Sequence, residues 1–296
     1  MDRSVFSKAA DIAGDRGHRA RSVPQGPRSV QSKHMGDPGD LVTRALGILA
    51  EDHMKGNETR PTDLQLQRRV LSDGTECPLP IRYFDVQCLV ATFLTDLDRA
   101  AELLKGTSLL AVSQEDGKAV VVLYCIEYRI TDIGPYNEVG LTVLAAAPGD
   151  PIPANYVVNL PVTTAVANRA GREIWGYNKF VAAIDVKSEG KKFSTVLRDT
   201  ENVLVGALEG SRGASIPTPP TDILTFTLLN GRVIKTVIRV LTPFHASSGE
   251  SFVFKVGTSR HPMTNNLSTV ALDGARPVLV QYANPLQALL FPGRAL

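Results

Sequence analysis

From about residue 80 the chain repeats strand-length runs of Val, Ile, Leu, Phe, Tyr and Thr, each bounded by Gly, Pro, Asn or Asp. FDVQCLVATFL, AVVVLYCIEYRIT, NEVGLTVLAAA, YVVNLPVTT, KFVAAIDVKS, FSTVLRD, ILTFTLL and VIKTVIRVL all read as strands. Two segments read as helices: DLDRAAELLKG, capped by Asp96 or Asp98 and closing at Gly106, and TTAVANRAG, closing at Gly171. The intervals between strands are too short to hold a helix after each one, which disfavours a parallel, doubly wound sheet. The expected class is mainly β, a β-rich α+β protein. Its antiparallel sheets would form a closed or nearly closed barrel with small peripheral helices. Closure removes exposed strand edges and leaves an interior pocket. The stretch ALEGSRGASIPTPP, residues 207 to 220, reads as a loop at the barrel rim.

Residues 1–75 break this pattern, being rich in Arg, Asp, Gly, Ser and Pro, and are expected to form a flexible extension. Within them residues 41 to 55 show helical spacing of Leu41, Ala45, Leu46 and Leu49. Residues 76–296 are expected to form one barrel domain, since a β-rich core absorbs about 200 to 250 residues before it splits. The arginines and serines of the extension suggest a transit peptide, but Asp2, Asp11 and Asp15 oppose that. With 43% apolar and 21% charged residues the chain has enough material for a packed core. Its net charge of +2 arises from basic and acidic residues spread along the sequence, so neither nucleic acid nor an anionic membrane is an expected partner. No apolar run approaches the roughly 18 residues needed to span a bilayer, and a cytoplasmic location is expected. Cys77, Cys88 and Cys125 are odd in number and lack CxxC spacing, which argues against a zinc site and for buried thiols in a reducing compartment.

Two segments hold the candidate chemistry: IGPYNEVGL at residues 133 to 141 and AGREIWGYNKFVAAI at residues 170 to 184. Both resemble the acetoacetate decarboxylase family. There a Gly-x-Tyr-x-Glu segment places a carboxylate inside the barrel, and Gly-Arg-Glu followed by Tyr-Pro-Lys delivers the lysine that forms an imine. The matching residues are Gly134, Tyr136 and Glu138, then Gly171, Arg172, Glu173, Tyr177 and Lys179, with Asn178 where the family often has proline. The separation of Glu138 from Lys179 is close to the family's own, and weaker similarity runs from about residue 83 to the NPLQALLFPG tail. The resemblance implies that Lys179 is the Schiff-base amine and Glu138 the proton-handling group. Tyr136, Trp175, Tyr177, Phe180 and Arg82 would form the substrate pocket, and Arg172 and Glu173 would support the loop through an ion pair. It also implies a homo-oligomer, a small keto acid as substrate, and chemistry that needs neither metal nor organic cofactor.

The residues themselves fit this use of Lys179. A lysine has an ordinary pKa of about 10.4, so its free amine is scarce at neutral pH unless burial disfavours the ammonium. Lys179 lies among Tyr177, Phe180, Val181 and Ala182, and is expected to begin a strand facing a dry interior. In acetoacetate decarboxylase itself the lysine is activated by a neighbouring cation. Here the next residue is Phe180, so apolar burial would act alone. The family's carboxylate-binding arginine and second glutamate align with Val86 and Leu123, with Arg82 and Glu127 nearby, and a shift of one residue reverses the face a strand presents. A less charged pocket follows, suited to a larger or more apolar substrate. The leading expectation is decarboxylation of a β-keto acid, such as a polyketide-derived intermediate of a specialised pathway. Alternatives are aldol or retro-aldol chemistry with dehydration on a pyruvate-like keto acid, and a non-catalytic barrel holding an apolar ligand, which an exposed Lys179 would favour. His245 and His261 have no Ser or Cys motif to complete a triad, and GSRGAS lacks a phosphate-cradling glycine pattern.

Overall fold

The computed structural model describes residues 66–114 and 116–296. The expected helix at residues 41 to 55, and the expected extension up to residue 65, lie outside the described residues. Residues 67–70 pair antiparallel with Glu76–Leu79, and Leu71 and Cys77 are buried against the barrel, so the last part of that extension packs onto the start of the barrel domain.

Seven strands make the barrel: β1 (Ile81–Asp96), β2 (Lys118–Thr131), β3 (Tyr136–Ala146), β4 (Ala154–Asn159), β5 (Ile223–Leu229), β6 (Arg232–Val240) and β7 (Leu279–Leu290). Each pairs antiparallel with the next, β7 closing on β1, except that β4 and β5 run parallel. A parallel pair needs a long crossover. The chain between β4 and β5 supplies it by leaving the barrel to build a helix and most of a second sheet. The β5–β6 hairpin turns at Asn230 and Gly231, both at positive φ, as a two-residue turn between twisted strands requires.

The second sheet orders Val253–Val256, Leu204–Ser211, Lys192–Arg198 and Ala183–Glu189, all antiparallel. Residues 207–211, expected in a rim loop, therefore belong to a strand. Gly210 reads as a turn signal but serves, like the neighbouring Gly206, as a close contact. A Cβ at Gly210 would stand 2.5 Å from Phe252, and one at Gly206 2.6 Å from Phe254.

Alternation along β1 and β2 feeds two cores. Leu89, Ala91, Phe93, Leu123 and Cys125 face the second sheet, where they meet Phe193, Leu197, Leu208, Phe252 and Phe254. Val86, Cys88, Val90, Val122 and Ile126 face the barrel interior. Burial on both faces explains why these strands are written as almost unbroken apolar runs. At about 1.5–3 kcal/mol for each fully buried large apolar side chain, the inter-sheet layer clamps one wall of the barrel.

Three helices complete the described fold: α1 (Leu97–Glu102), α2 (Ala165–Trp175) and α3 (Pro262–Thr269). Helix α2 does not close at Gly171. It continues one turn to Gly176, whose φ of 70° makes the left-handed cap while Gly176 and Tyr177 donate to the carbonyls of Arg172 and Gly171. Helix α3 was not expected, because its Asn, Ser and Thr are weak helix formers. Its start is set by Pro262 and by His261, whose Nδ1 accepts from the Met263 amide, while Met263 and Leu267 anchor it in the inter-sheet core. Among the described residues no helix is long and apolar enough to cross a membrane.

All three cysteines are free and buried. Burial pushes the Cys77 thiol up to about 11, with Asp132 adding to the effect, and burial pushes Cys125 up to about 12 and Cys88 higher still. Because the thiolate is the reactive form, native protein at pH 8 is expected to take up no iodoacetamide in intact-mass measurements. Protein unfolded in guanidinium should take up three equivalents; any label on the native chain would contradict the placement.

Candidate active site

Lys179 does not begin a strand. It sits in an extended segment between α2 and the strand Ala183–Glu189, and that segment is hydrogen-bonded to the stretch following β4. The Leu160 amide donates to the Asn178 carbonyl (3.0 Å), Val162 to Phe180 (2.9 Å), and Ala182 to Val162 (3.0 Å). Asn178, where the family often has proline, uses its side-chain amide to bond the Val158 carbonyl (2.8 Å). Arg172 donates from Nη1 to the Lys179 carbonyl (2.9 Å), tying the lysine backbone to the last turn of α2. The lysine stem lies directly over Gly171: a Cβ there would stand 2.4 Å from Cε and 2.5 Å from Cδ.

Extended geometry sends neighbouring side chains to opposite sides. Tyr177 and Lys179 point into the barrel, and Phe180 points out, stacked on His261 with centroids 3.9 Å apart. Inside, Lys179 Nζ donates to Glu138 Oε2 at 2.5 Å. The two residues are only 6% and 5% exposed. Glu138 comes from β3, opposite Ile126 of β2, and its Oε1 accepts from the Tyr128 hydroxyl at 3.2 Å. Tyr128 packs between Tyr83 (4.8 Å) and Tyr136 (4.3 Å). The rings of Tyr136 and Tyr177 lie 5.7 and 5.8 Å from the ammonium, in range for cation–π attraction.

These groups stand at a cavity of about 100 Å³ whose wall is otherwise uncharged and mainly apolar, with Val86, Ile126, Val157, Leu160, Ile238 and Leu286 among its lining. Among the described residues, Glu138 and Lys179 are the only acidic and basic residues in that lining. Burial, reinforced by the Glu138 carboxylate, pushes the hydroxyls of Tyr83 and Tyr128 well above the ordinary phenol range. They remain proton donors throughout the working range of an enzyme. The Tyr177 hydroxyl is raised by burial as well and pairs with Thr225 Oγ1 at 3.0 Å.

The structure thus brings together Lys179, Glu138, Tyr136 and Tyr177, although Tyr136 packs behind Tyr128 and outside the cavity wall. It does not bring in the other three pocket candidates. Trp175 lies behind Tyr177 and donates to the Phe291 carbonyl (2.8 Å), and Phe180 faces away. Arg82 points out of the barrel and is held bidentate by Asp132. Arg172 and Glu173 form no ion pair with each other: Arg172 holds the Lys179 carbonyl, and Glu173 accepts from the amide and hydroxyl of Ser72. Val86 lines the cavity, Leu123 faces the inter-sheet core, and Glu127 lies 3.7 Å from Arg129 outside the cavity lining. Sequence reasoning missed Tyr83, Tyr124 and Tyr128. The alternation Tyr124, Ile126, Tyr128 along β2 was the available signal, because all three share the face that Glu138 meets across the β2–β3 ladder.

The model of the family acetoacetate decarboxylase (ADC) matches residues 70–239, more than half of the chain. A comparison with curated proteins found no match. Among solved structures, the barrel is similar to acetoacetate decarboxylase from Legionella pneumophila, with 16% identity and a TM-score of 0.57 over 73% of this chain and 87% of that one. The enduracididine biosynthesis enzyme MppR complexed with pyruvate gives 15% identity and a TM-score of 0.57 over 81% and 96%. An acetoacetate decarboxylase-like enzyme from Sphingomonas wittichii RW1 gives 12% and 0.55 over 73% and 92%. At these identities the likeness concerns the fold. The fold likeness and the family match over residues 70–239 agree, and the chain belongs to the acetoacetate decarboxylase family.

Proposed function

We propose that the protein processes a keto acid through an imine on Lys179, and that its reaction is decarboxylation of a β-keto acid. The observation that supports this most is the buried 2.5 Å contact between the Lys179 amine and the Glu138 carboxylate at an otherwise uncharged, mainly apolar cavity. In this reading Glu138 Oε2 takes the ammonium proton, while the bond from Tyr128 to Oε1 fixes the carboxylate's orientation. The freed amine adds to the keto carbon, and loss of water leaves a protonated imine. The bond to the carboxylate then breaks, carbon dioxide departs, and its electron pair passes into the imine as an enamine. Protonation of the enamine carbon and hydrolysis release the ketone and restore the amine, with Glu138 carrying the protons.

The second reading keeps the enamine and changes the bond: aldol condensation or cleavage on a pyruvate-like acid. It draws on the fold likeness to the enduracididine biosynthesis enzyme MppR, solved in complex with pyruvate and with the condensation product of pyruvate and imidazole 4-carboxaldehyde. The passive apolar-ligand barrel called for an exposed Lys179, and the residue is buried.

Borohydride reduction after incubation with a panel of β-keto and α-keto acids separates these readings. A reduced adduct on Lys179 in peptide mass spectra, with carbon dioxide released from the β-keto acids, is the expected result. An adduct without gas would assign the aldol reaction. No adduct with any acid would leave Lys179 structural.

A further inference from the structure

A second cavity, of about 270 Å³, shares no lining residue with the first. Its wall holds three basic side chains, Lys191, Arg212 and His245, together with Ser215, Ser247, Tyr282 and Asn284, and among the described residues no carboxylate. We propose that this cavity is a binding site for a small organic polyanion bearing carboxylate or phosphate groups.

The guanidinium is held in place before any ligand arrives. Arg212 places its Cζ over the Tyr282 ring, 3.6 Å from its centroid, and donates from Nη2 to the Gly190 carbonyl and from Nε to the Lys191 carbonyl (3.5 Å). Tyr282 is fixed in turn: its hydroxyl donates to Gln87 Oε1 (3.1 Å) and accepts from the Asn284 amide (3.2 Å). Such anchoring lowers the ordering cost of binding, and a guanidinium with an open edge suits a carboxylate or phosphate. Arg212 Nη1 has no partner among the described residues, and neither has the Lys191 ammonium. Lys191 reaches the site from the turn of the hairpin between Ala183–Glu189 and Lys192–Arg198. His245 sits directly across the ladder from Tyr282, and Ser247, two residues on, shares its face. The Ser247 hydroxyl, on a residue 8% exposed, bonds no described residue, and the exposed Ser215 hydroxyl and His245 ring likewise have no described partner and are open to a ligand. Donors without partners around a charge of one sign, in a space larger than a single inorganic ion needs, define the ligand class.

Isothermal titration calorimetry of the full chain at pH 7 and constant ionic strength tests this, with citrate, inorganic phosphate and sorbitol as probes. Citrate or phosphate is expected to bind saturably at one site per chain, and sorbitol to give no heat. Tighter citrate binding would identify carboxylates as the recognised group; tighter phosphate binding would identify phosphoryl groups. The K191Q/R212Q double variant should weaken binding at least tenfold. K191Q alone, in an exposed turn, should weaken it severalfold and guards against a folding defect at Arg212. Absence of saturable binding by either anion, or binding unchanged in both variants, would overturn the proposal.

Discussion

Replacing Lys179 by methionine is expected to abolish borohydride trapping and reduce turnover to background. Removal of a covalent nucleophile costs on the order of 10⁶-fold in turnover. The same change should destabilise the fold, because the partner left behind is a carboxylate whose side chain is 6% exposed. Breaking a buried ion pair from one side costs about 3–5 kcal/mol, whereas replacing both partners by uncharged groups of similar size is often close to neutral. K179M should therefore lower the urea midpoint markedly, and K179M/E138Q should recover most of the loss while remaining inactive. If the double variant stayed as unstable as the single one, the pair would not be the buried contact described here. If K179M retained an adduct, the imine would lie elsewhere.

Lys179 and Glu138 were legible because each lies in a short motif of the family, and because strand-length apolar runs announced a barrel able to bury them. The rest of the pocket was misread for a reason of parity. Phe180 was grouped with Lys179 by adjacency, but in an extended chain adjacent residues oppose each other, so the residue beside an inward lysine must face out. The same rule separates Arg82 from Tyr83. An irregularity between Tyr83 and Val86 then returns Val86 to the inner face, a change that no simple alternation along the sequence foretells. The alternation of Tyr124, Ile126 and Tyr128 places Tyr128 on the inner face, but its bond to Glu138 depends on the register of β3 against β2, which a linear reading does not give. The rim loop expected at residues 207 to 220 failed differently: glycine marks both turns and places where an aromatic ring must come close, and the sequence does not distinguish them.

Glycine also supplies the sharpest separation of folding from chemistry. Gly171→Ala is expected to lower turnover about 100-fold, the cost of misplacing a reacting group by roughly 1 Å, with little loss of stability. The added methyl would meet Cε and Cδ of Lys179, atoms near the free end of a flexible side chain, so the amine moves while the helix stays. Alanine in the body of α2 favours the helix by about 1 kcal/mol relative to glycine, which offsets part of the crowding. Gly176→Ala, at the cap of the same helix, should do the opposite. There φ is +70° and the new methyl would stand 2.4 Å from the backbone oxygen of Leu228, which cannot swing aside, so the penalty falls on the fold. Thermal melts paired with borohydride trapping distinguish the two: a stable Gly171→Ala with little adduct, and a destabilised Gly176→Ala whose folded fraction still traps substrate. Normal trapping in Gly171→Ala would mean that the lysine reaches its substrate by a path not lying over the helix, and the close packing of its stem on Gly171 would have no catalytic consequence.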